Sequence, residues 1–181
     1  MTRFGYAMVT CLGALTITVS ASVPVTPWLL WNASASAPVG LYVIRPSDHF
    51  EVPDLVVITP PAPLAHMLDQ RGYLPFGVPL LKRIVALPGQ QVCRHGRSLT
   101  VDGVAMAEAR EHDRSGRDLP VWQGCRRIGD GEVFLLNWQH LDSLDGRYFG
   151  PLPRDAVIGR AIPLFTDEAG DGHFEWRAPV R

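Results

Sequence analysis

Residues 79–89 read PLLKRIVALPG, a short apolar run that contains Lys82 and ends at a Pro-Gly turn. In an extended strand, successive side chains point to opposite faces of the sheet. This alternation places Leu80, Lys82 and Ile84 on one face and Arg83 on the other. Because apolar residues flank Lys82 on both sides, the position is unfavourable for a solvated charge, and we take this strand as the centre of the fold.

Lys82 is the only lysine among the 17 basic residues of the chain, and all the others are arginine. Arginine stays charged in proteins, whereas a buried lysine can lose its proton and act as a base. No Asp or Glu lies within ten residues of Lys82, so no carboxylate nearby in sequence holds its charge. The pattern fits a catalytic base and fits equally well a solvated edge lysine in a chain that is biased toward arginine.

Composition excludes several classes of function. The chain has 181 residues, which is enough for one domain with an appendage. A formal net charge of −1 gives no basic surface of the size that nucleic acid binding needs. The three cysteines have no zinc-site spacing, and no Gly-rich phosphate loop or Gly-x-Ser-x-Gly motif is present. We therefore expect no metal, no cofactor and no nucleic acid partner.

The order of turn signals and β-forming runs predicts an all-β, mainly antiparallel and barrel-like domain with one short helix. The helix is predicted over 63–71, which has Pro at its start and Gly72 as its stop. Residues 108–118 are predicted to be a charged, solvated surface loop, and the tail from residue 166 to be loose. The predicted strands are 41–44, 54–59, the Lys82 strand, a hairpin that turns at Asp102-Gly103 within 91–106, 131–137 and 157–165.

Residues 4–22 carry no charge and follow Arg3, a pattern typical of an N-terminal export segment. Their length suits a transmembrane helix that acts as a signal anchor, since about 20 residues span a bilayer. A cleaved signal peptide is the alternative. We divide the chain into an N-terminal anchor at 1–24 and an exported domain at 25–181. Trp28 and Trp31 fit either the headgroup layer of a membrane or a strand that enters the core.

Residues 32–42 read NASASAPVGLY and combine small and polar side chains with a Pro-x-Gly turn. They form either a flexible linker or the floor of a cleft with a serine nucleophile. Ser34 and Ser36 are two residues apart, so in an extended segment they share a face. None of the six histidines has a triad-like context, which leaves Lys82 as the candidate base.

Three blocks of sequence resemble the signal peptidase I superfamily of Ser/Lys proteases, and most of all its TraF branch of conjugal-transfer peptidases. The blocks occur in the family's order and with its spacing. The first and second are the serine block at 34–42 and the lysine block at 80–89, and the third is DSLDGRYFGP at 142–151, followed by 158–161.

The resemblance implies the signal-peptidase fold and a role for each matching residue. Ser36 would be the nucleophile and Lys82 its general base. The hydroxyl of Ser34 would join the backbone N–H of Ser36 in the oxyanion hole. Ser143 would orient the amine of Lys82. Beneath the site, Asp145 and Arg147 would form a structural ion pair.

The chain departs from the family's pattern at two positions. Gly146 replaces a common Ser, which affects a secondary support of the lysine, and Ala37 replaces a common Met or Leu, which affects the substrate pocket. Cys93 and Cys125 both lie in the exported part, and the TraF branch has cysteines in this region. We expect a disulfide between them in an oxidising compartment. Two free core thiols are the alternative.

The sequence therefore predicts a serine endopeptidase, anchored in the bacterial inner membrane, with its catalytic domain on the periplasmic side. Its partners would be a precursor protein substrate, the lipid bilayer and components of a conjugative type IV secretion machine. The resemblance implies maturation of a conjugative pilin precursor, with cyclisation as a further step. One alternative is a general signal peptidase, and another is a non-catalytic exported β-domain that binds a secretion-machine partner.

Overall fold

The computed structural model describes residues 3–22 and 28–179. In these ranges the chain forms three α-helices, a 3-10 turn at Arg154–Ala156 and strands that belong to two sheets. The helices are α1 Arg3–Ser22, α2 Ala62–Gln70 and α3 Gly146–Phe149. The strands are β1 Leu29–Asn32, β2 Val39–Arg45, β3 Leu55–Ile58, β4 Leu80–Ala86, β5 Gln91–His95, β6 Ser98–Val101, β7 Val104–Glu108, β8 Gly124–Arg127, β9 Glu132–Leu136, β10 Leu152–Pro153, β11 Val157–Asp167 and β12 Glu175–Trp176.

The larger sheet has the order β1-β2-β11-β3-β4-β9-β10, and β12 pairs with β11. All its described pairings are antiparallel, which confirms the predicted mainly antiparallel β fold. β1 and β10 end the order, so the described strands of this sheet do not close on themselves. The strand with Lys82 lies inside the sheet, where β3 and β9 pair with its two edges.

The smaller sheet has the order β7-β6-β5-β8. Asp102 and Gly103 connect β6 to β7, and both have positive φ, as a two-residue hairpin turn requires. The predicted hairpin is therefore confirmed. Val92 and Leu99 of this sheet pack with Phe134 and Leu136 of β9 in one core cluster, which joins the two sheets.

Apolar side chains of β4 enter three different core clusters. Leu81 packs with Tyr42 of β2, Ile84 packs with Val56 of β3, and Val85 packs in the cluster that joins the sheets. Each fully buried side chain of this size contributes about 1.5–3 kcal/mol relative to an exposed one. The apolar run around Lys82 thus fixes β4 at the centre of the domain.

The backbone at position 40, two residues after Pro38, requires a glycine. Its φ is +148°, and a Cβ at this position would lie 2.3 Å from the backbone oxygen of Phe165. β2 and β11 approach each other here, next to a register shift between Pro163 and Phe165. A side chain would force the two strands apart at the start of β2.

The predicted N-terminal helix forms, but the prediction that it spans a membrane is not confirmed. α1 covers Arg3–Ser22, and among the described residues no helix is both long and apolar enough to cross a bilayer. The polar content of α1 accounts for this result, because three threonines and two serines interrupt its apolar residues. The hydroxyls of Thr10, Thr16 and Thr18 bond to carbonyls one turn earlier in the helix.

Other predictions of local structure have mixed outcomes. α2 falls within one residue of the predicted 63–71 helix. Trp31 lies in strand β1, although its side chain is more than half exposed, so the segment is a strand without a buried Trp. The predicted loose tail is partly wrong, because β12 pairs with β11 and Phe174 stacks on Phe165.

Candidate active site

The loop between β1 and β2 carries Ser34 and Ser36, and Asn32 at the end of β1 holds its shape. The Nδ2 of Asn32 donates to the carbonyls of Ser34, Ala37 and Pro38 at 2.8, 3.0 and 3.0 Å. Its Oδ1 accepts the backbone N–H of Ser34 at 3.1 Å. Of the two alternatives for this segment, the flexible linker is therefore wrong, because hydrogen bonds from Asn32 hold the loop in one shape. The sequence analysis did not identify Asn32. Its only signal in the sequence is its position directly before the run of small residues, because Asn commonly forms turns.

Ser34 and Ser36 lie side by side, as their spacing predicts. Their Oγ atoms are 2.9 Å apart, and the backbone N–H of Ser36 points to the Oγ of Ser34 at 3.4 Å. The two groups that the resemblance assigns to an oxyanion hole are thus neighbours on one loop. Tyr42 supports the same loop from β2, since its hydroxyl donates to the carbonyl of Pro38 at 2.7 Å.

Lys82 brings the serine loop together with the segment that follows β9. Its side chain is only 4% exposed. The Nζ atom lies 3.4 Å from the Oγ of Ser36 and donates to the Oγ of Ser143 at 2.8 Å. Ser36, which is 46 positions from Lys82 in the chain, and Ser143, which is 61 positions from it, therefore meet at one amine. The distance to Ser36 is slightly longer than a proton transfer needs, which is common before substrate binds.

The environment of Lys82 favours its neutral form. Burial lowers the pKa of Lys82 from 10.5 to about 8. The negative charge of Asp145 opposes this change and raises the pKa, whereas the positive charge of Arg147 lowers it. Near pH 8 a large fraction of the amine is therefore unprotonated and able to accept a proton.

Asp145 and Arg147 form a fully buried ion pair behind Ser143. The Nε and Nη2 atoms of Arg147 donate to the two carboxylate oxygens at 2.9 and 2.8 Å. Arg147 also donates to the carbonyl of His140 at 2.7 Å, and Asp145 accepts the backbone N–H of Asn137 at 3.0 Å. These bonds fix both ends of the segment that carries Ser143. The structure thus places the pair where it determines the position of Ser143 against Lys82.

Gly146 leaves no room for a side chain. A Cβ at this position would lie 2.7 Å from the backbone oxygen of Leu135 and 2.7 Å from the ring of Phe134. The Phe134 ring and the backbone of β9 therefore occupy the space that the family's usual Ser would take. Ala37, the second departure, is buried in the core beside Tyr42 and Leu81, and Ala35 lines the open cavity instead.

A disulfide joins Cys93 of β5 to Cys125 of β8, at directly paired positions of the smaller sheet. His95 lies close by, with its Nε2 3.7 Å from the Cys125 sulfur. As a disulfide, the two sulfurs offer no thiolate to a metal ion. Neither cysteine lines the cavity at the serine loop.

An open cavity of about 740 Å³ lies at the serine loop. Its floor includes Ser34, Ala35, Ser36 and Ser143, so the three hydroxyls described above are accessible from it. Residues of the segment 110–117, which the sequence predicts to be a solvated loop, line the same cavity. The prediction of an exposed, charged loop is confirmed, and the path of the chain between β7 and β8 also brings these residues to the candidate site.

The arrangement has the parts that an acyl transfer needs. It contains a serine hydroxyl, an adjacent amine with a lowered pKa, a second hydroxyl and a backbone N–H beside that serine, and an open cavity. Among the described residues, no histidine contacts Ser36 or Lys82 by a hydrogen bond. Geometry alone does not assign the roles of these residues, which stay predictions.

Comparison with known proteins gives a consistent result. The family model described as "Signal peptidase, peptidase S26" matches residues 1–165. A protein named "Probable conjugal transfer protein TraF" from Sinorhizobium fredii is 34% identical over 146 residues, which are 75% of this chain and 76% of that protein. A "Probable signal peptidase I-1" from Synechocystis is 32% identical over 128 residues, or 69% of this chain and 61% of that protein.

A crystal structure of a signal peptidase I from Enterococcus faecalis is also matched, at 22% identity and a TM-score of 0.36, over 65% of this chain and 97% of that one. The family match covers most of the sequence and includes the serine loop, β4 and the segment with Ser143. The chain therefore belongs to the signal peptidase family, peptidase S26.

Proposed function

We propose that this chain is a serine endopeptidase that cleaves exported precursor proteins, with Ser36 as nucleophile and Lys82 as general base. One observation carries the proposal. The only lysine of the chain is buried between the hydroxyls of Ser36 and Ser143, and burial lowers its pKa to about 8. A lysine with these surroundings can take the proton of a serine, as a charged surface lysine cannot.

In the proposed reaction, the Oγ of Ser36 attacks the carbonyl carbon of the scissile peptide bond, and its proton passes to the Nζ of Lys82. The negative charge that develops on the carbonyl oxygen is stabilised by the backbone N–H of Ser36 and the hydroxyl of Ser34. The peptide C–N bond then breaks, and the leaving amine receives the proton from Lys82. The product of this half-reaction is an ester between the substrate and Ser36.

Release of the ester repeats the proton transfers with a second nucleophile. Lys82 accepts a proton from water, the hydroxide attacks the ester, and the proton returns to the Oγ of Ser36. If the attacking group is instead the free amine at the other end of the same product, the result is a cyclic chain. This second outcome rests on the resemblance to TraF peptidases.

The proposed substrate is a conjugative pilin precursor. Support comes from relatives that are named conjugal transfer proteins TraF, two of them 34% identical to this chain. Removal of signal peptides from many preproteins is a second candidate, and the similarity to a probable signal peptidase I favours it. The two candidates share the formation of the ester at Ser36, and they differ in the range of substrates and in whether water or an amine releases the product.

We also propose an exported location, with residues 1–24 as a separate N-terminal segment and residues 25–181 as the catalytic domain. The Cys93–Cys125 disulfide supports export, because disulfides persist in oxidising compartments such as the periplasm. The described side chains of α1 are nearly all exposed and include eight large apolar residues, so the lipid bilayer is its proposed partner. Components of a conjugative secretion machine are further proposed partners.

The experiment is an intact-mass measurement on two substrates, a small conjugative prepilin and a preprotein with a signal peptide. Each is incubated in detergent with the wild type, with Ser36→Ala and with Ser98→Ala. Ser98 is a matched control because it is exposed on β6, outside the cavity. We expect a shortened product with the wild type and with Ser98→Ala, and none with Ser36→Ala.

The product mass separates the candidates. A shortened prepilin that is one water lighter than the linear fragment supports conjugative pilin maturation with cyclisation. Linear products from both substrates favour a general signal peptidase. If neither substrate is cut, the catalytic proposal fails and a binding role at a secretion machine becomes the function to test.

A further inference from the structure

One wall of the cavity carries an excess of positive charge that the proposed peptide-bond chemistry does not use. This wall consists of the residues of 110–117 that line the same cavity as Ser36 and Ser143. It contributes three arginines and one aspartate to the lining, and Asp142 adds a second carboxylate from the segment beside Ser143. The chain as a whole has a net charge of −1, so this concentration of arginine is local.

Arg110 and Arg114 both bind the single carboxylate of Asp142. The Nη1 of Arg110 lies 2.9 Å from Oδ1, and Arg114 donates to Oδ2 through Nε at 3.0 Å and Nη2 at 2.6 Å. Together they carry two positive charges against one negative charge. Each arginine has five N–H donors, so donors remain on both after the bonds to Asp142 are made.

Two further charged side chains of the lining, Asp113 and Arg117, neutralise each other. Arg117 donates to Asp113 at 2.7 Å, and the same carboxylate accepts the hydroxyl of Tyr73 at 2.5 Å. These bonds hold the pKa of Asp113 well below its usual range, with the Tyr73 bond as the largest cause. Among the charged side chains that line the cavity, the positive charge without a carboxylate of its own therefore belongs to Arg110 and Arg114, which share Asp142.

Arg110 sits on a well-supported backbone. Its N–H donates to the hydroxyl of Tyr148 at 3.0 Å, and the preceding Ala109 is fully buried in a core cluster with Tyr148 and Leu119. Tyr148 itself belongs to α3, directly after Arg147. The backbone at Arg110 is thus held by the helix that also carries Arg147.

Asp142 is the residue before Ser143, whose hydroxyl binds the amine of Lys82. A substrate segment that reaches Ser36 through the cavity therefore passes the arginine pair within a few residues of its scissile bond. A carboxylate fits the remaining donors best, because arginine binds carboxylates with planar, charge-assisted hydrogen bonds.

We propose that Arg110 and Arg114 form a subsite for a substrate carboxylate close to the scissile bond. This inference rests on the proposed endopeptidase function and deepens it by naming a preferred substrate feature. The carboxylate is either an acidic side chain or the C-terminal carboxylate of the substrate. Arg110 and Arg114 are specificity residues in this account, and neither takes part in the transfer of a proton or of the acyl group.

The test uses fluorescence-quenched alanine-based peptides that are identical except for Glu or Gln at one of three positions on either side of the scissile bond. A second pair ends in a free acid or an amide, which separates the two sources of carboxylate. Cleavage is measured with the wild type, Arg114→Gln, Arg110→Gln and Arg45→Gln. Arg45 is a matched control because it is exposed at the end of β2, outside the cavity.

We expect the wild type to prefer one acidic peptide over its neutral partner by about tenfold, mainly through a lower KM, as one charge-assisted hydrogen bond allows. The preference falls to about twofold or less in Arg114→Gln and Arg110→Gln and is kept in Arg45→Gln. Cleavage of the neutral peptides changes little in all variants. A merely structural role of the arginines would instead lower cleavage of acidic and neutral peptides alike, and would overturn the inference.

Binding of the same peptides to Ser36→Ala, followed by fluorescence anisotropy, keeps the inference separate from catalysis. Tighter binding of the acidic peptide that is lost in Ser36→Ala/Arg114→Gln supports the subsite even if no peptide is cleaved. Equal binding and equal cleavage of acidic and neutral peptides by the wild type overturn the subsite and leave the proposed endopeptidase intact.

Discussion

Replacing Lys82 with methionine is expected to lower kcat by roughly 10³–10⁴-fold, because it removes the only base that contacts Ser36 among the described residues. Methionine keeps most of the length and apolar surface of the lysine chain without its amine. The measurement is cleavage of the substrate identified by the mass experiment, under saturating conditions.

The same substitution is expected to stabilise the protein. A buried amine whose folded pKa is about 8, against 10.5 in the unfolded chain, costs roughly 3 kcal/mol of stability while it must be protonated. This cost is complete below pH 8, shrinks between pH 8 and about 10.5, and is absent above that range. Loss of the hydrogen bond to Ser143 offsets part of the gain, so urea unfolding at pH 7 should show a gain of about 1–2 kcal/mol.

Lys82→Arg provides the matched control. It keeps a positive charge but supplies no base, so activity is lost as in Lys82→Met, whereas stability falls because a larger permanent charge is buried. If Lys82→Met gains stability, Lys82→Arg loses stability and both lose activity, the loss of activity comes from the missing proton transfer and not from a change in stability. An active Lys82→Arg enzyme would contradict the role of Lys82 as base.

Replacing Arg147 with methionine is expected to lower the free energy of unfolding by about 3–5 kcal/mol, the usual effect of breaking a buried ion pair. The substitution leaves the carboxylate of Asp145 without its partner in a fully buried position. It also frees the carbonyl of His140, so the segment that carries Ser143 loses a support. Urea unfolding measures the change, and Arg45→Met, on an exposed position, should stay within about 0.5 kcal/mol of the wild type.

A double variant tests the cause of this loss. In Arg147→Met/Asp145→Asn the unpaired charge is removed, while the Asn oxygen still accepts the backbone N–H of Asn137. The double variant should therefore be more stable than Arg147→Met. If Arg147→Met alone loses less than about 1 kcal/mol, the pair does not support the site in the way described here.

The central strand and the residues at its amine were accessible from the sequence. Alternation around Lys82 predicts a strand in an apolar environment, and the two-residue spacing of Ser34 and Ser36 predicts one shared face. The structure has both features. The approach of Ser143 to Lys82 follows only from the resemblance, since 61 residues separate the two and no local pattern links them.

Other parts of the site depend on the path of the chain and were not predictable. Asn32 acts through three carbonyl groups whose positions are set by the turn itself. The ring of Phe134, which belongs to β9, occupies the space that a side chain at Gly146 of α3 would need. Residues 110–117 have the composition of a solvated loop, and only the connection from β7 to β8 brings them to the cavity that Ser36 also lines.

The prediction of a membrane-spanning helix is not confirmed, for a different reason. An uncharged run of sufficient length after Arg3 predicts a transmembrane helix, but length and the absence of charge do not measure hydropathy. Thr and Ser in α1 keep it below the apolarity that a membrane span needs, although the helix itself forms over Arg3–Ser22.

The most direct test of the account is the pKa of Lys82 itself. Because Lys82 is the only lysine, protein made with ¹³C,¹⁵N-labelled lysine gives one side-chain NMR signal, and its shift can be followed against pH without assignment. The account predicts a single titration with a midpoint of about 8, so that the amine is largely neutral just above that pH. A midpoint near 10.4, the value of a solvated lysine, would show that the amine stays charged and would contradict its role as the base for Ser36.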